Sequence, residues 1–475
     1  MTLRGRRPGD RRVRVERTTP VDYHLAPAKR IRRPPPPPAI VLVVGFAILI
    51  AIGTVLLMLP ASSAGGAWTP FVEALFTATS AVCVTGLVVL DTGTYWSPFG
   101  HVVILGLIQV GGFGFMTGST VLLLLLLGRR TGLRDRVLVQ ASTGVPELGS
   151  VTALVKRIAA FTIVAESLGA VALAVAFLVR DHAPGEAAWW GLFHAVSAFN
   201  NAGFDLTGGF RSLSGFADDP WVLAPIAVLI VLGGLGYAIV GDAIAKRRWG
   251  RYALETKIVV ATTAALIVGG TGLVAVFDWN NPATLGALPV EQRPMNALFE
   301  SITLRTAGFS ALDTAALTEA SLFVVMALMF IGGASGSTAG GIKVNTFTVL
   351  LIAIVSTARG RPSAEAFGRR IQHIVIYRAL SVALLSIAVV FGIALAMELT
   401  AHAATFVQVL FEAVSAVGTV GASTGITPGL PDPARLALVA AMFIGRLGPL
   451  TLVLALAAQA RPTAYRPAVE PIRIG

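Results

Sequence analysis

Six long apolar runs dominate the chain: Ala39–Leu59, Val102–Leu127, Ile158–Val179, Val222–Val240, Ile258–Phe277 and Leu436–Ala458. Each matches the roughly 20 residues that an α-helix needs to cross a bilayer. In lipid every backbone N–H and C=O must be satisfied internally, which leaves helices and closed barrels as the options. The runs are continuous rather than alternating, which argues against a barrel. Composition agrees. Of 475 residues 55% are hydrophobic and 13% charged, with a mean hydropathy of +0.76, about half the charged share of a soluble domain. The expected fold class is an all-α, polytopic membrane protein.

The net charge of +12 does not read as a nucleic-acid signature, because of where it lies. Eleven Lys/Arg fall between Met1 and Arg33, and further clusters occupy Arg129–Arg136, Lys156–Arg157, Lys246–Arg251 and Arg359–Arg370. The intervening loops, such as Pro60–Gly100, carry few basic residues or none. This alternation is the positive-inside pattern and places the N-terminus and the basic loops in the cytoplasm, where such a tail favours anionic lipid. The first apolar run has 21 residues and 38 residues before it. A signal peptide's apolar region is about 7–15 residues, so this run reads as an uncleaved membrane helix. Pro34–Pro38 reads as a stiff spacer from a disordered tail. Cys83 is the single cysteine, which excludes an internal disulfide.

Between long runs, one shorter pattern occurs four times: LFTATSAVCVTGL (75–87), LFHAVSAFNNAGF (192–204), LFESITLRTAGF (298–309) and LFEAVSAVGTVGA (410–422). Each opens on Leu-Phe and reaches a glycine, at Gly86, Gly203, Gly308 and Gly421, spaced by 117, 105 and 113 residues. The third copy is one residue shorter between phenylalanine and glycine, which leaves its register open. Each repeat reads as a long helix, a short helix with a glycine turn, and a second long helix. Four repeats (39–128, 129–250, 251–358 and 359–460) would give eight spans, flanked by tails at 1–38 and 461–475. The short helices, too short to cross, would be re-entrant from the outside.

Non-helical backbone at membrane depth is tolerated where it is buried in protein or lines a water-filled cavity. Four such turns suggest a pseudo-fourfold ring whose backbone carbonyls replace the water shell of a monovalent cation. The short helices would also aim their partially negative C-terminal ends at that cation. The expected filter residues are Cys83, Val84, Thr85 and Gly86; Asn200, Asn201, Ala202 and Gly203; Arg305, Thr306, Ala307 and Gly308; and Gly418, Thr419, Val420 and Gly421. The competing reading is that these glycines only permit close helix packing.

SAVCVTGL, SAFNNAGFDL, TLRTAGF and AVGTVGASTGITP, with IGGASGSTAGGIK (331–343) and IGRLGPLTL (444–452), resemble the Trk/Ktr/HKT superfamily of potassium transporters. Eight spans are most similar to the Ktr-type membrane subunit. The resemblance implies a potassium-translocating homodimer with one pore per chain, gated by a separate cytoplasmic nucleotide-binding RCK protein. It implies no organic cofactor, potassium as cargo and sodium as a candidate activator. In that family a glycine at all four filter positions goes with potassium selectivity and a serine in the first repeat with sodium preference. Here that first position is Gly86. A sodium-permeable or non-selective conduit is the alternative.

Glycine costs about 1 kcal/mol against alanine in a helix, so GGASGSTAGG should break the third repeat's last helix. The resemblance makes Gly332, Gly333, Ala334, Ser335, Gly336, Ser337, Thr338, Ala339, Gly340 and Gly341 a gate, with Lys343 at its end and Arg446 in the last span as an electrostatic barrier nearby. Lys343 by itself reads equally as an interfacial anchor. Arg305 should point away from the axis, with Glu300 or Glu412 as its partner. The Cys83 carbonyl should face the pore and its thiol pack outward. Glu166, mid-span, should hydrogen-bond a neighbouring helix, and His194 should be structural. An intramembrane enzyme is the reading from another class. It finds little support: His24, His101, His182, His194, His373 and His402 are scattered, and HExxH and GxxxxGK[ST] do not occur.

Overall fold

The structure, a computed structural model, describes residues 38–128, 151–401 and 403–448; for residues 38–39, 117–128 and 151–153 it describes the helical backbone alone. The main helices are α1 (Pro38–Met58), α2 (Phe71–Val82), α3 (Pro98–Gly128), α4 (Val151–Val179), α5 (Pro184–Phe199), α6 (Pro220–Lys246), α7 (Leu254–Asp278), α8 (Arg293–Thr303), α9 (Glu319–Phe330), α10 (Val344–Ala358), α11 (His373–Glu398), α12 (Phe406–Gly418) and α13 (Asp432–Leu447). Glu365–Ala366 pairs antiparallel with Arg369–Arg370 in a short hairpin between α10 and α11.

Six of the described helices are long and apolar enough to cross a membrane: Ile40–Met58, Pro98–Met116, Leu154–Val179, Pro220–Lys246, Leu254–Asp278 and His373–Glu398. The first five coincide with apolar runs expected from the sequence, and α11 adds a span that none of those runs marked. The run Leu436–Ala458 is described only to Gly448. The basic N-terminal tail up to residue 37, the cluster at 129–136 and the C-terminal tail at 461–475 lie outside the described residues.

The outward faces of the long helices show which solvent they are built for. α1 exposes Val41, Val44, Ile48, Ile52 and Val55, and α11 exposes Leu380, Leu384, Ile387, Phe391 and Leu395. These positions recur every three or four residues, the spacing of one helix face. A surface helix of a soluble protein is polar there. In water each such side chain would forgo about 1.5–3 kcal/mol, and patches of this size need an apolar surrounding.

Helix ends are set locally. Asp219 caps α6 by accepting the Trp221 N–H at 2.8 Å, with Pro220 at the first helical position. α12 begins with a capping box between Thr405 and Gln408. Such caps contribute about 1 kcal/mol each.

The short helices α2, α5, α8 and α12 are largely buried. Each packs against the long helix before it: α2 on α1, α5 on α4, α8 on α7 and α12 on α11. Each also meets a helix from elsewhere in the chain, α3 touching α5, α6 touching α8, α9 touching α12 and α13 returning to α2. The α13–α2 contact closes the cycle and carries an ion pair between Arg435 and Glu73 at 3.0 Å. Two departures from helical geometry lie near the centre. α6 kinks at Gly236 (φ 74°, ψ 164°), and residues 331–343 between α9 and α10 leave the helix altogether.

Candidate functional site

The four short helices end in turns with one backbone signature, a positive φ at a non-glycine residue and again at the glycine two positions later. The pairs are Val84 (48°) with Gly86 (91°), Asn201 (58°) with Gly203 (70°), Thr306 (78°) with Gly308 (74°), and Thr419 (48°) with Gly421 (93°). A β-branched residue held there costs about 1–3 kcal/mol, so the surroundings impose it.

The glycines meet in a closed ring. A β-carbon on Gly86 would lie 2.5 Å from the Ala202 carbonyl oxygen and 3.0 Å from the Gly203 Cα. One on Gly203 would lie 2.5 Å from the Ala307 carbonyl oxygen and 3.3 Å from the Gly308 Cα. A β-carbon on Gly308 would run into the Val420 carbonyl, and one on Gly421 into the Thr85 carbonyl, 2.9 Å from the Gly86 Cα. Each glycine is thus fixed twice, by its φ and by the next turn's carbonyl.

Behind the ring, each turn hangs on a Ser or Thr. The Ser80 carbonyl accepts the Thr85 N–H (2.8 Å) and its hydroxyl the Gly86 N–H (3.1 Å). Ser415 treats Val420 (2.9 Å) and Gly421 (3.1 Å) alike, and the Ser197 carbonyl accepts the Ala202 N–H (2.7 Å). In the third turn, one residue shorter, the anchor moves by one position: the Thr303 carbonyl takes the N–H groups of both Ala307 (2.8 Å) and Gly308 (3.2 Å). The missing residue is absorbed there, and Thr306-Ala307-Gly308 falls in register with the other three turns.

In three of the four copies the residue after Leu-Phe fastens the chain beyond the glycine. His194 Nε2 accepts the Leu206 N–H at 3.4 Å. Glu300 accepts the N–H groups of Ala311 (2.9 Å) and Leu312 (3.1 Å) and the Ser310 hydroxyl (3.0 Å). Glu412 accepts the Thr424 N–H (2.9 Å) and the hydroxyls of Ser423 and Thr427 (both 2.7 Å). Thr77 instead donates to the Glu73 carbonyl in its own helix. Neither glutamate pairs with Arg305, contrary to the sequence-based expectation. Their carboxylates serve the chain after the glycine, whereas Arg305, three residues before it, donates through Nη2 to the Gly332 carbonyl at 3.3 Å. Cys83 is buried among apolar side chains, and Asn200 sends its amide away from the ring to Gln109 and Glu166.

Residues 331–343 pack against three of the turns. The Thr338 hydroxyl reaches the Phe199 carbonyl (3.0 Å) and Asn201 Oδ1 (3.1 Å), Gly332 lies against Thr306, and Gly340 and Gly341 lie against Thr419 and Gly418. The segment is held by backbone bonds: Ala334 and Thr338 N–H to the carbonyls of Gly234 (2.8 Å) and Gly233 (3.2 Å) in α6, and Gly332 N–H to the Ile342 carbonyl (2.8 Å). The remaining members are close by: Ser335 N–H donates to Asn345 (3.2 Å), Ser337 hydroxyl to the Ala334 carbonyl (2.7 Å), and the Gly336 carbonyl sits against Gly236.

Two cations converge on this segment. Arg446 is fully buried; it donates to the Thr338 carbonyl and, at 3.3 Å, to the Gly111 carbonyl, with its guanidinium 4.4 Å from the Phe115 ring centre. The Lys343 ammonium turns back to the carbonyls of Ala339 and Gly340 and lies 5.1 Å from the same ring. The sequence reading did not mark Phe115, Gln109 or the anchoring serines as site residues. The serines carried a signal, each six residues before its glycine, and Gln109 one, as a polar residue inside an apolar run; Phe115, one apolar residue among many, carried none.

The family model described as TrkH, cation transport protein, matches residues 36–463. The chain belongs to that family. It is 41% identical over 416 residues to the Ktr system potassium uptake protein B of Bacillus subtilis (strain 168), covering 87% of this chain and 92% of that protein. It is 38% identical over 419 residues to the potassium/sodium uptake protein NtpJ of Enterococcus hirae, covering 88% and 92%. Among solved structures it is similar to the potassium transporter TrkH from Vibrio parahaemolyticus, with a TM-score of 0.65 at 18% identity over 88% of this chain and 84% of that one. At that identity the likeness speaks for the fold.

Proposed function

We propose that the chain is the pore-forming subunit of a potassium uptake system in the cell membrane, with the ring of glycine turns as its selectivity filter. On this reading α1, α3, α4, α6, α7, the α9–α10 pair, α11 and α13 are its eight spans, arranged as four repeats around one pore. The observation that carries the reading is the closed ring, in which each glycine is pressed against the carbonyl of the residue before the next glycine. Carbonyls in such a ring replace the water shell of a monovalent cation. The Thr85 and Thr419 hydroxyls, one residue before Gly86 and two before Gly421, are buried and have no hydrogen-bond partner among the described residues. Relatives named as potassium uptake proteins support potassium as the cargo.

The segment 332–341 then acts as a gate. Arg446 and Lys343 place positive charge beside it, a barrier to a cation leaving the filter. The basic segments lie in the cytoplasm. The resemblance to Ktr-type systems adds a second copy of the chain, a separate nucleotide-binding RCK regulator and sodium as an activator. A second reading, a conduit that also passes sodium, draws on the relative named for both ions.

The test is K+ against Na+ flux in proteoliposomes of the purified chain, with Gly86→Ser in parallel. K+ uptake that outcompetes Na+, with the preference weakened by the substitution, is the expected result. Equal permeation in the unmodified chain moves the assignment to the second reading. An unchanged preference in Gly86→Ser removes the ring as the filter.

A further inference from the structure

Helix α4 faces the membrane with Ile163, Val164, Leu168 and Val171, yet carries a carboxylate at mid-length. Glu166 is turned inward and only 7% exposed. Its Oε2 accepts from Gln109 Nε2 at 3.0 Å and its Oε1 from Asn200 Nδ2 at 2.9 Å. The same Asn200 amide donates to Gln109 Oε1 at 3.0 Å and to the Val196 carbonyl at 2.9 Å. Three side chains, from α3, α4 and the turn after α5, form a closed triangle, and among the described residues no Lys or Arg pairs with the carboxylate. The triangle is also wedged in place, since a β-carbon on Gly112 of α3 would run into Asn200 Oδ1.

Asn200 immediately precedes Asn201-Ala202-Gly203 of the ring. Its counterparts are tied differently: Cys83 packs among apolar side chains, Arg305 reaches Gly332, and Gly418 has no side chain. The second turn alone is fastened to a carboxylate on a membrane-facing helix. A buried carboxylate without a basic partner is costly unless something offsets it. The amides of Gln109 and Asn200 offset part of that cost, and a cation bound in the ring next to Asn200 would offset more.

We infer that Glu166 is a positioning residue for cation selection: through Gln109 and Asn200 it fixes the second turn, and its charge favours a cation in the ring. This rests on the proposed reading of the ring as the filter. The experiment uses the full chain in proteoliposomes and compares the unmodified protein, Glu166→Gln, the exchange Glu166→Gln/Gln109→Glu, and Gly86→Ser. The KM for K+ and the K+/Na+ preference are measured for each, with gel filtration to check folding. Glu166→Gln is expected to raise the KM for K+ and to lower the preference by about fivefold or more, the loss of one charge-assisted hydrogen bond. The exchange, which returns a carboxylate to the triangle, is expected to recover most of both. Unaltered KM and preference in Glu166→Gln, while Gly86→Ser shifts the preference, would overturn the inference and leave the filter reading standing. No shift in either variant would remove both. Where Glu166→Gln does not fold, an exchange that restores folding but not the preference overturns the inference, and one that restores both supports it.

Discussion

Helix α6 and the stretch from α9 to α10 both carry glycine clusters, at Gly233, Gly234 and Gly236 and at Gly332, Gly333, Gly336, Gly340 and Gly341. Only the second is broken through. In α6 the glycines alternate with Leu235 and Tyr237, and Ile239 follows buried, so packing carries the helix past one non-helical residue. Between Gly332 and Gly341 the other side chains are Ala, Ser and Thr, which offer little apolar area to hold a helix together. The two segments are also one device. The kink in α6 frees the carbonyls of Gly233 and Gly234, and these take the N–H groups of Thr338 and Ala334. Each departure from helix supplies hydrogen-bond partners that the other lacks, which is how irregular backbone persists at membrane depth.

The strongest way to break this pairing is on the kinked side. Gly233→Ala would drive a methyl into the Phe199 carbonyl and within 2.8 Å of Asn201 Oδ1 and Thr338 Oγ1. Overpacking against rigid backbone costs about 3 kcal/mol, so folded yield by gel filtration and K+ uptake should both collapse. On the loop side, deletion of residues 335–339 should leave a folded protein whose regulator-free K+ flux rises by about tenfold or more, corresponding to about 1.4 kcal/mol. Unchanged flux would mean a passive kink. A finer probe is Thr338→Val, which keeps the backbone bonds but removes the hydroxyl facing Phe199 and Asn201. With about 1 kcal/mol per hydrogen bond, basal flux should rise by about fivefold at unchanged K+/Na+ preference. The smallest effect sharpens the contrast: Gly241→Ala, further along α6 with nothing within 4 Å of the added methyl, should add up to about 1 kcal/mol of helix propensity, read as a small rise in melting temperature, and leave transport alone.

The membrane class, five of the six described long helices and the four Leu-Phe-to-glycine segments were legible because each rests on a local pattern of apolar length or recurring residue type. The break at 331–343 was legible for the same reason. Lys343 and Arg305 were less so. Their types announce charge, but which carbonyl a long side chain reaches depends on a segment brought from elsewhere in the chain, Gly332 for Arg305. Glu300 or Glu412 was expected to partner Arg305 because a buried base calls for an acid, one in its own repeat and one in the next. The fold instead spends both acids on backbone N–H groups that would otherwise be unpaired.

By itself, then, the sequence determined that the chain is helical and needs lipid around it, where five of the six described long helices lie, and where four glycine turns fall. Those properties follow from apolar length, residue type and backbone freedom over a few neighbouring residues. Only the tertiary structure decided that the turns close on one another in the order Gly86, Gly203, Gly308, Gly421, that the third absorbs its missing residue at Thr303, and that Glu166, Gln109 and Asn200 meet. The ring and the triangle depend on contacts between residues from 34 positions apart (Glu166 with Asn200) to 336 (Thr85 with Gly421). Such contacts arise from packing across elements, which a local pattern does not encode.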